Sequence, residues 1–390
     1  MTALSGLRIA DFSRILAGPL TTMLLADLGA EVVKIERPDG GDDTRAWGPP
    51  YTPDGRATYF LAVNRNKHSV VLDLATQEGR KRAQDLAVDS GIVVENFRPG
   101  VMDRLGLGYE ELAARRPDLI YCSISAFGSA GGASLPGYDL IVQAVGGLMS
   151  ITGSPDDEPQ KVGVAVIDVI TGLYAAVGVV SAVRHRERTG EGQRIEVDLL
   201  SCALAALSNQ ASAHTAGGVV PRRLGNVHPS IAPYETLPTS EGELAVAVGN
   251  DRQFRSMCTV LGASELGSDP RFVVNAARVA HREALRTELT ARLVTDGAQV
   301  WAQRLNDAGV PAGPVNDIAA AFEFARTLGL EPTVDIDGTV VTRNPLRMGR
   351  TPVSYRLPPP PLAEDGQGPR WADQDAAGTE TAGAPAPHET

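Results

Sequence analysis

Along the first 125 residues, short runs rich in Val and Ile alternate with stretches whose apolar residues recur at helical spacing. The runs at 7–12 (LRIADF), 31–36 (EVVKIE), 69–74 (SVVLDL), 92–95 (IVVE) and 119–125 (LIYCSIS) predict strands. The stretches at 19–28, 77–88 and 109–116 predict helices between them, with Gly29 placed where the first must stop. Each strand–helix–strand step is a crossover, so the pattern predicts an α/β fold with a parallel sheet and helices on both faces. Ligands in such sheets sit beyond the carboxyl ends of the strands. That directs attention to four loops, at 13–19, 37–45, 96–104 and 126–139.

Further on, a β-like stretch at 162–167 passes into an almost wholly apolar run at 164–183, followed by Arg184, His185 and Arg186. Its length suits a bilayer span. Asp168 lies inside it, however, and a carboxylate is costly in lipid. A helix buried on all sides in an α/β core has the same composition, so no membrane association is expected. A strand at 194–199 and an Ala-rich helix at 201–215 follow. From about 219 the chain is punctuated by Pro and Gly, and 220–320 reads as a smaller α/β domain. β-like runs at 334–336 and 340–342 return the chain to the first domain. The expected organisation is a large domain over 1–215 and 325–357, a small one over 220–320, and a Pro/Gly-rich tail over 358–390. The tail's composition buries too little to order itself alone, and no internal repeat is found.

Composition narrows the function. Hydrophobic residues at 43% and charged residues at 21% are ordinary globular values. Thirty-six Lys+Arg against 47 Asp+Glu give a net charge of -11. That balance argues against nucleic-acid and anionic-membrane partners, while leaving room for a local basic pocket. Cys122, Cys202 and Cys258 are odd in number and far apart, which fits no disulfide framework or CxxC metal spacing and implies a reducing, cytoplasmic setting. Arg8 and Asp11 interrupt the N-terminal run, so no export signal is expected.

The usual catalytic signatures are missing. The turn after the first strand is SRILAGPL rather than GxGxxG, and GxxxxGK[ST], HExxH and GxSxG do not occur. The six histidines show no metal-ligand spacing. What remains is Asp168, at the start of the apolar helix. It reads either as an N-cap or as a nucleophilic carboxylate in a dry site, and the two roles are compatible. Arg37, Arg45, Arg98 and Arg104 lie in or beside the crevice loops, as phosphate-binding forks or as ordinary surface charges. Phe97, Tyr138 and Trp47 are candidates to stack on a base or line an acyl channel, and core or rim positions are the plain alternative. His228 has no partner in the sequence and reads as structural.

Several stretches, in order, resemble the class III CoA-transferases typified by formyl-CoA transferase. They are LSGLRIADFSRILAGP, LGAEVVKIERPDGGDDTR, NRNKHSVVLDL, VVENFRPGVMDRLGL, GYDLIVQAVGG, GVAVIDVITGLYAA, RERTGEGQRIEVDLL and GVPAGPVND, spread over about 4–360. The resemblance implies a Rossmann-like large domain with strands from both ends of the chain, and an interlocked homodimer. It makes Asp168 the nucleophile. It assigns coenzyme A contacts to Ile15, Leu16, Ala17, Arg37, Leu72, Asp73, Leu74, Asn96, Phe97, Arg98 and Arg104, with Tyr138 and Asp139 at the acyl end. The partners implied are an acyl-CoA and a carboxylic acid, with no permanently bound cofactor and no metal. Formyl-CoA transferases have Gln where Leu16 stands here and a glycine-run loop not found here. The related α-methylacyl-CoA racemases have a catalytic His where Tyr138 stands. The stretch RRLGNVHPSIAPYETLPTSEGEL is most similar to the branch that moves CoA from succinyl-CoA to other dicarboxylic acids, for whose distal charge Arg45, Arg222 and Arg223 are candidate cations. A racemase or epimerase, betrayed by α-proton exchange without an acceptor, and a non-catalytic acyl-CoA binder are the alternatives.

Overall fold

In the computed structural model, residues 2–363 are described. Six strands form one parallel sheet: β1 (Arg8–Asp11), β2 (Glu31–Glu36), β3 (Lys67–Val71), β4 (Ile92–Glu95), β5 (Ile120–Ser125) and β6 (Gln193–Asp198). Their order is β3-β2-β1-β4-β5-β6, so the chain reverses its direction of travel between β1 and β4. Ile9, Ala10, Val32, Val33, Val93 and Val94 are all buried, as expected of strands covered on both faces. β3 runs from Lys67 to Val71 rather than over 69–74, and it ends early because Asp73 turns the chain: its side chain accepts from the Ala75 N–H and its carbonyl from the Thr76 N–H.

The long apolar helix spans Val166–Thr189 and stops at Gly190, whose φ is 77°. No strand forms at 162–167; Val166 and Ile167 already belong to the first turn. The helix is not buried on all sides. Ile167, Thr171, Ala175, Val179 and Ala182 pack inward along β5 and β6, while Leu173, Tyr174, Val177 and Val180 are each more than a third exposed. By length and composition it is long and apolar enough to cross a membrane. The Ala-rich stretch forms two helices, Leu199–Ala206 and Ser208–Thr215, broken where Ser208 takes a φ of 47°.

The chain divides into two compact units. Among the described residues, one takes 2–146, Gly163–Ala211 and 333–363; the other takes Gly147–Val162 and Ser212–Pro332. Residues 147–162, 212–215 and 325–332 thus leave the large domain expected from sequence. The second unit has a three-stranded antiparallel sheet, β7 (Tyr234–Pro238), β8 (Glu243–Ala247) and β9 (Ala312–Pro314). Phe254, Met257, Leu285, Leu289, Trp301 and Leu305 pack on it from helices Asp251–Val260, Arg282–Leu293 and Ala298–Asp307.

The late strands Thr333–Ile336 and Thr339–Thr342 pair with each other as a hairpin and do not enter the parallel sheet, contrary to the expectation of strands from both ends. The C-terminal segment is tied to the large unit through polar groups instead. Buried Asp27 accepts from Arg65 (2.6 and 2.9 Å), Asn66 (2.8 Å) and Asn344 (3.0 Å), and its carbonyl from the Ser354 N–H. Asn66 N–H donates to the Leu357 carbonyl and Arg45 Nη1 to that of Pro360. The tail read at 358–390 lies outside the described residues from 364 onward.

Candidate active site

The loops at the carboxyl ends of β1, β4 and β5 enclose a cleft of about 460 Å³. Its walls carry Ile15, Leu16, Ala17, Asn96, Phe97, Arg98, Tyr138 and Asp168, with Arg14, Asp43, Trp47 and Phe127 beside them. A second cleft of about 230 Å³ is lined by Arg37, Leu72, Asp73 and Leu74, and shares Arg14 and Phe97 with the first. Both lie at the reversal of strand order, where an open α/β sheet accepts ligands. Two residues picked from sequence fall elsewhere. Arg104 is exposed and lines neither cleft, and Asp139 is buried beneath the first.

Asp168 owes its place to the long helix. Gly172, one turn further on, lets that helix approach the helix Ala17–Asp27 so closely that a Cβ there would lie 2.8 Å from the Ala17 carbonyl oxygen. Thr21 Oγ1 bridges the contact, donating to Ala17 O (2.8 Å) or Gly172 O (3.1 Å). The nucleophile candidate is thereby set against the start of a helix with no side-chain cap and no acidic first-turn residue. With Pro19 lacking an N–H, the amides of Ala17 and Gly18 are left as donors without an intrahelical acceptor.

Asp168 is not the N-cap. That position is Ala165, and Asp168 lies in the first turn. The capping carboxylate is Asp139, whose Oδ1 accepts from the N–H groups of Ile167 (2.8 Å) and Asp168 (3.1 Å). Burial, reinforced by the Asp139 charge, pushes the Asp168 carboxyl up to about 7. The Tyr59 hydroxyl is also pushed up, by burial and then by Asp168 and Asp139, and its ring meets Trp47 edge-on at 5.3 Å.

The first loop is held in a strained shape. Ile15, a β-branched residue, has a φ of 72°, a conformation costing ~1–3 kcal/mol. Asn96 clamps Arg14 from both sides, accepting its N–H (2.8 Å) and donating to its carbonyl (2.6 Å). Below them two buried lysines act as struts. Lys34 Nζ pairs with Asp42 (2.8 Å) and donates to Ser13 O (2.8 Å). Lys67 Nζ pairs with Asp11 (3.0 Å) and donates to Pro19 O (2.9 Å). Burial drives the Lys67 ammonium down to about 8 despite Asp11. For Asp11, burial acts upward, but Lys67 and Lys34 outweigh it and hold the carboxyl below its usual range.

Of the cations considered for an acceptor acid, Arg45 is committed elsewhere, forked onto Glu36 (2.7 and 2.8 Å) and stacked on Phe60. Arg223 donates to the Ser154 and Asp157 carbonyls in the second unit, and Arg222 is exposed. His228 accepts from the Ser230 N–H and lies beside Tyr234. Arg14 and Asp43 went unnoticed in the sequence. Asp43 joins Arg14 (3.1 Å) to Arg37 (2.8 Å) where the clefts adjoin. The flagged loops contain both residues, but nothing in the spacing marks an arginine whose partner is 29 residues away.

The sequence model of CoA-transferase family III matches residues 4–366. The chain is 44% identical over 372 residues to the succinate–glutarate CoA-transferase of Agrobacterium fabrum, covering 93% of each. It is 40% identical over 373 residues to the succinyl-CoA:glutarate CoA-transferase of Mus musculus, covering 93% of this chain and 85% of the mouse protein. A crystal structure of a CAIB/BAIF family protein from Brucella suis superposes with a TM-score of 0.85 at 44% identity, over 93% of this chain and 96% of that one. The matched region contains both clefts, Asp168 and the second unit, and the chain belongs to CoA-transferase family III and is a CoA-transferase.

Proposed function

We propose that the protein moves CoA from succinyl-CoA to a second dicarboxylic acid, glutarate being the first to test, with Asp168 as nucleophile. The observation that carries the reading is the half-buried Asp168 carboxylate on the wall of a cleft made by the carboxyl-end loops of the sheet, where the other acidic lining residue, Asp43, is ion-paired with Arg14 and Arg37. An Asp168 oxygen attacks the thioester carbonyl and expels CoA thiolate, leaving an aspartyl–succinyl anhydride. The thiolate then attacks the aspartyl carbonyl, releasing succinate and leaving an aspartyl–CoA thioester. The acceptor carboxylate displaces the thiolate from that carbonyl, and the thiolate takes the acyl group, freeing Asp168. The first-turn amides of Ala17 and Gly18 are the donors for the oxyanions. Water must be excluded throughout, since each intermediate hydrolyses.

In this reading the nucleotide end of CoA lies in the smaller cleft against Leu72, Asp73 and Leu74, with Arg37 at its phosphates and Arg98 along the way. The strand order supports a Rossmann-like description of the large unit. The exposed Leu173, Tyr174, Val177 and Val180, together with exposed Leu140, Ile141 and Val145, support a subunit interface and hence an interlocked homodimer. The opposite face of the same helix packs on the parallel sheet, which favours an interface over a lipid face. Three free, buried cysteines support a reducing, cytoplasmic location. No permanently bound cofactor enters the chemistry.

The test is mass-spectrometric. Succinyl-CoA and glutarate should give glutaryl-CoA with the wild-type protein and none with Asp168→Ala. Product formation by the variant would overturn the nucleophile, and α-proton exchange without an acceptor would indicate a racemase.

A further inference from the structure

The helix that carries Asp168 lacks a cap of its own: Ala165 occupies the N-cap and offers no side-chain acceptor. The cap is supplied from outside by Asp139, at the start of helix Asp139–Val145. One carboxylate oxygen takes the amides of Ile167 and Asp168, the backbone of the nucleophile itself. The other is held by Gln143 Nε2 at 2.5 Å, one turn along the same helix. Gln143 is fully buried and Asp139 nearly so, and Gln143 Nε2 also reaches the Val164 carbonyl at 3.5 Å. Neither residue lines the cleft, whereas Tyr138, next in the chain, does. The start of this helix thus sends one side chain into the cleft and the next beneath its nucleophile.

We propose that Asp139, braced by Gln143, is the positioning residue of the transferase: it replaces the missing helix cap and thereby fixes where Asp168 meets the thioester carbonyl. The assignment rests on Asp168 being the nucleophile. A cap of this kind acts on the amides of the catalytic turn, so its loss displaces the attacking oxygen without touching the acyl-CoA. Displacements of about 1 Å cost ~100-fold in rate. Asp139 also places a second negative charge beside Asp168 and adds to the burial that raises its carboxyl. The Tyr59 hydroxyl responds to both carboxylates, and Arg14, Asp43, Arg98 and Tyr138 line the same cleft as Asp168.

Two substitutions separate the geometric and electrostatic parts. In Asp139→Asn the amide oxygen still accepts the two N–H groups, and Gln143 turns its own amide oxygen to the new NH₂. The cap survives and the charge is gone. In Asp139→Ala both are lost. The full-length protein is assayed with succinyl-CoA and glutarate across pH, alongside Asp168→Ala, and amide exchange is followed over the first turn of the long helix. Asp139→Ala should lose ~100-fold in kcat, keep KM for succinyl-CoA within about twofold, and exchange faster at Ile167 and Asp168. Asp139→Asn should recover most of kcat and protection, with the acid limb of kcat/KM moved to lower pH. Wild-type turnover and protection in Asp139→Ala, while Asp168→Ala is dead, would overturn the positioning role alone. An unmoved acid limb in Asp139→Asn would overturn the electrostatic part. Activity in Asp168→Ala would remove the nucleophile and this inference with it.

Discussion

Replacing Asp168 with Asn should stabilise the protein while abolishing turnover. Burial and Asp139 move the Asp168 carboxyl from 3.8 to about 7. At 1.36 kcal/mol for each tenfold change in proton affinity, holding that carboxylate ionised in the native state costs roughly 4 kcal/mol. The positive end of the helix offsets ~0.3–1 kcal/mol, leaving about 3–4. Between 3.8 and about 7 the native chain keeps a proton that the unfolded chain has lost. Wild-type stability therefore falls as pH rises through that window and is flat above it. Asn is nearly isosteric and has no charge to bury, so the variant escapes the fall. The assay is urea denaturation of both proteins at pH 5, 6.5 and 8, at one protein concentration because association contributes to stability. The variant should gain about 3–4 kcal/mol at pH 8 and less than half of that at pH 5. A gain below about 1 kcal/mol at pH 8, or an equal gain at both ends, would refute the electrostatic account.

Three further outcomes follow from the loop beneath the cleft. Lys34→Met strands Asp42 in a buried site, where the pair sits at 2.8 Å with neither side chain exposed. It should cost ~3–5 kcal/mol in denaturant melts, most of it recovered in Lys34→Met/Asp42→Asn; equal losses in single and double variants would contradict this. Gly18→Ala would bring a Cβ within 2.2 Å of Ser13 Cβ, so a loss of ~1–3 kcal/mol with a raised KM for succinyl-CoA is expected. Unchanged melting and kinetics would show that the loop yields. Arg37→Ala should raise KM for succinyl-CoA ~10-fold, about 1.4 kcal/mol, with kcat unmoved. A fall in kcat alone would place Arg37 at the chemistry instead.

Much of the large unit was legible because its signals are local. The Val/Ile runs at 31–36 and 92–95 gave strands whose bounds match those observed, and the four loops chosen for their position contribute to the clefts. Asp168 was legible as a singular charge in an apolar run. Its capping role was misread because the true cap comes from Asp139, 28 residues from the amide of Ile167 it accepts, and no local pattern encodes a partner so distant. The same limit hid the struts: Lys67 and Asp11 are 56 residues apart, and each looks like a surface charge in sequence. The exposed side of the long helix was missed for another reason. Its apolar residues run all round, so periodicity cannot tell a face that packs inward from one left open on a single chain.

The polar ties between Asp27, Arg65, Asn66 and the segment from Asn344 to Pro360 have a consequence for synthesis. Asp27 and Asn344 are 317 residues apart, which at 5–20 residues per second is about 15–60 s of translation. During that interval the amino-terminal strands are made, but one ligand of their buried Asp27 does not yet exist. The second unit, completed at Pro332, has every residue it needs before the hairpin and the segment from Asn344 to Pro360 emerge. The domain begun first on the ribosome is therefore the one finished last. Its early life depends on whatever shelters a half-built polar cluster until Asn344 to Pro360 have been made.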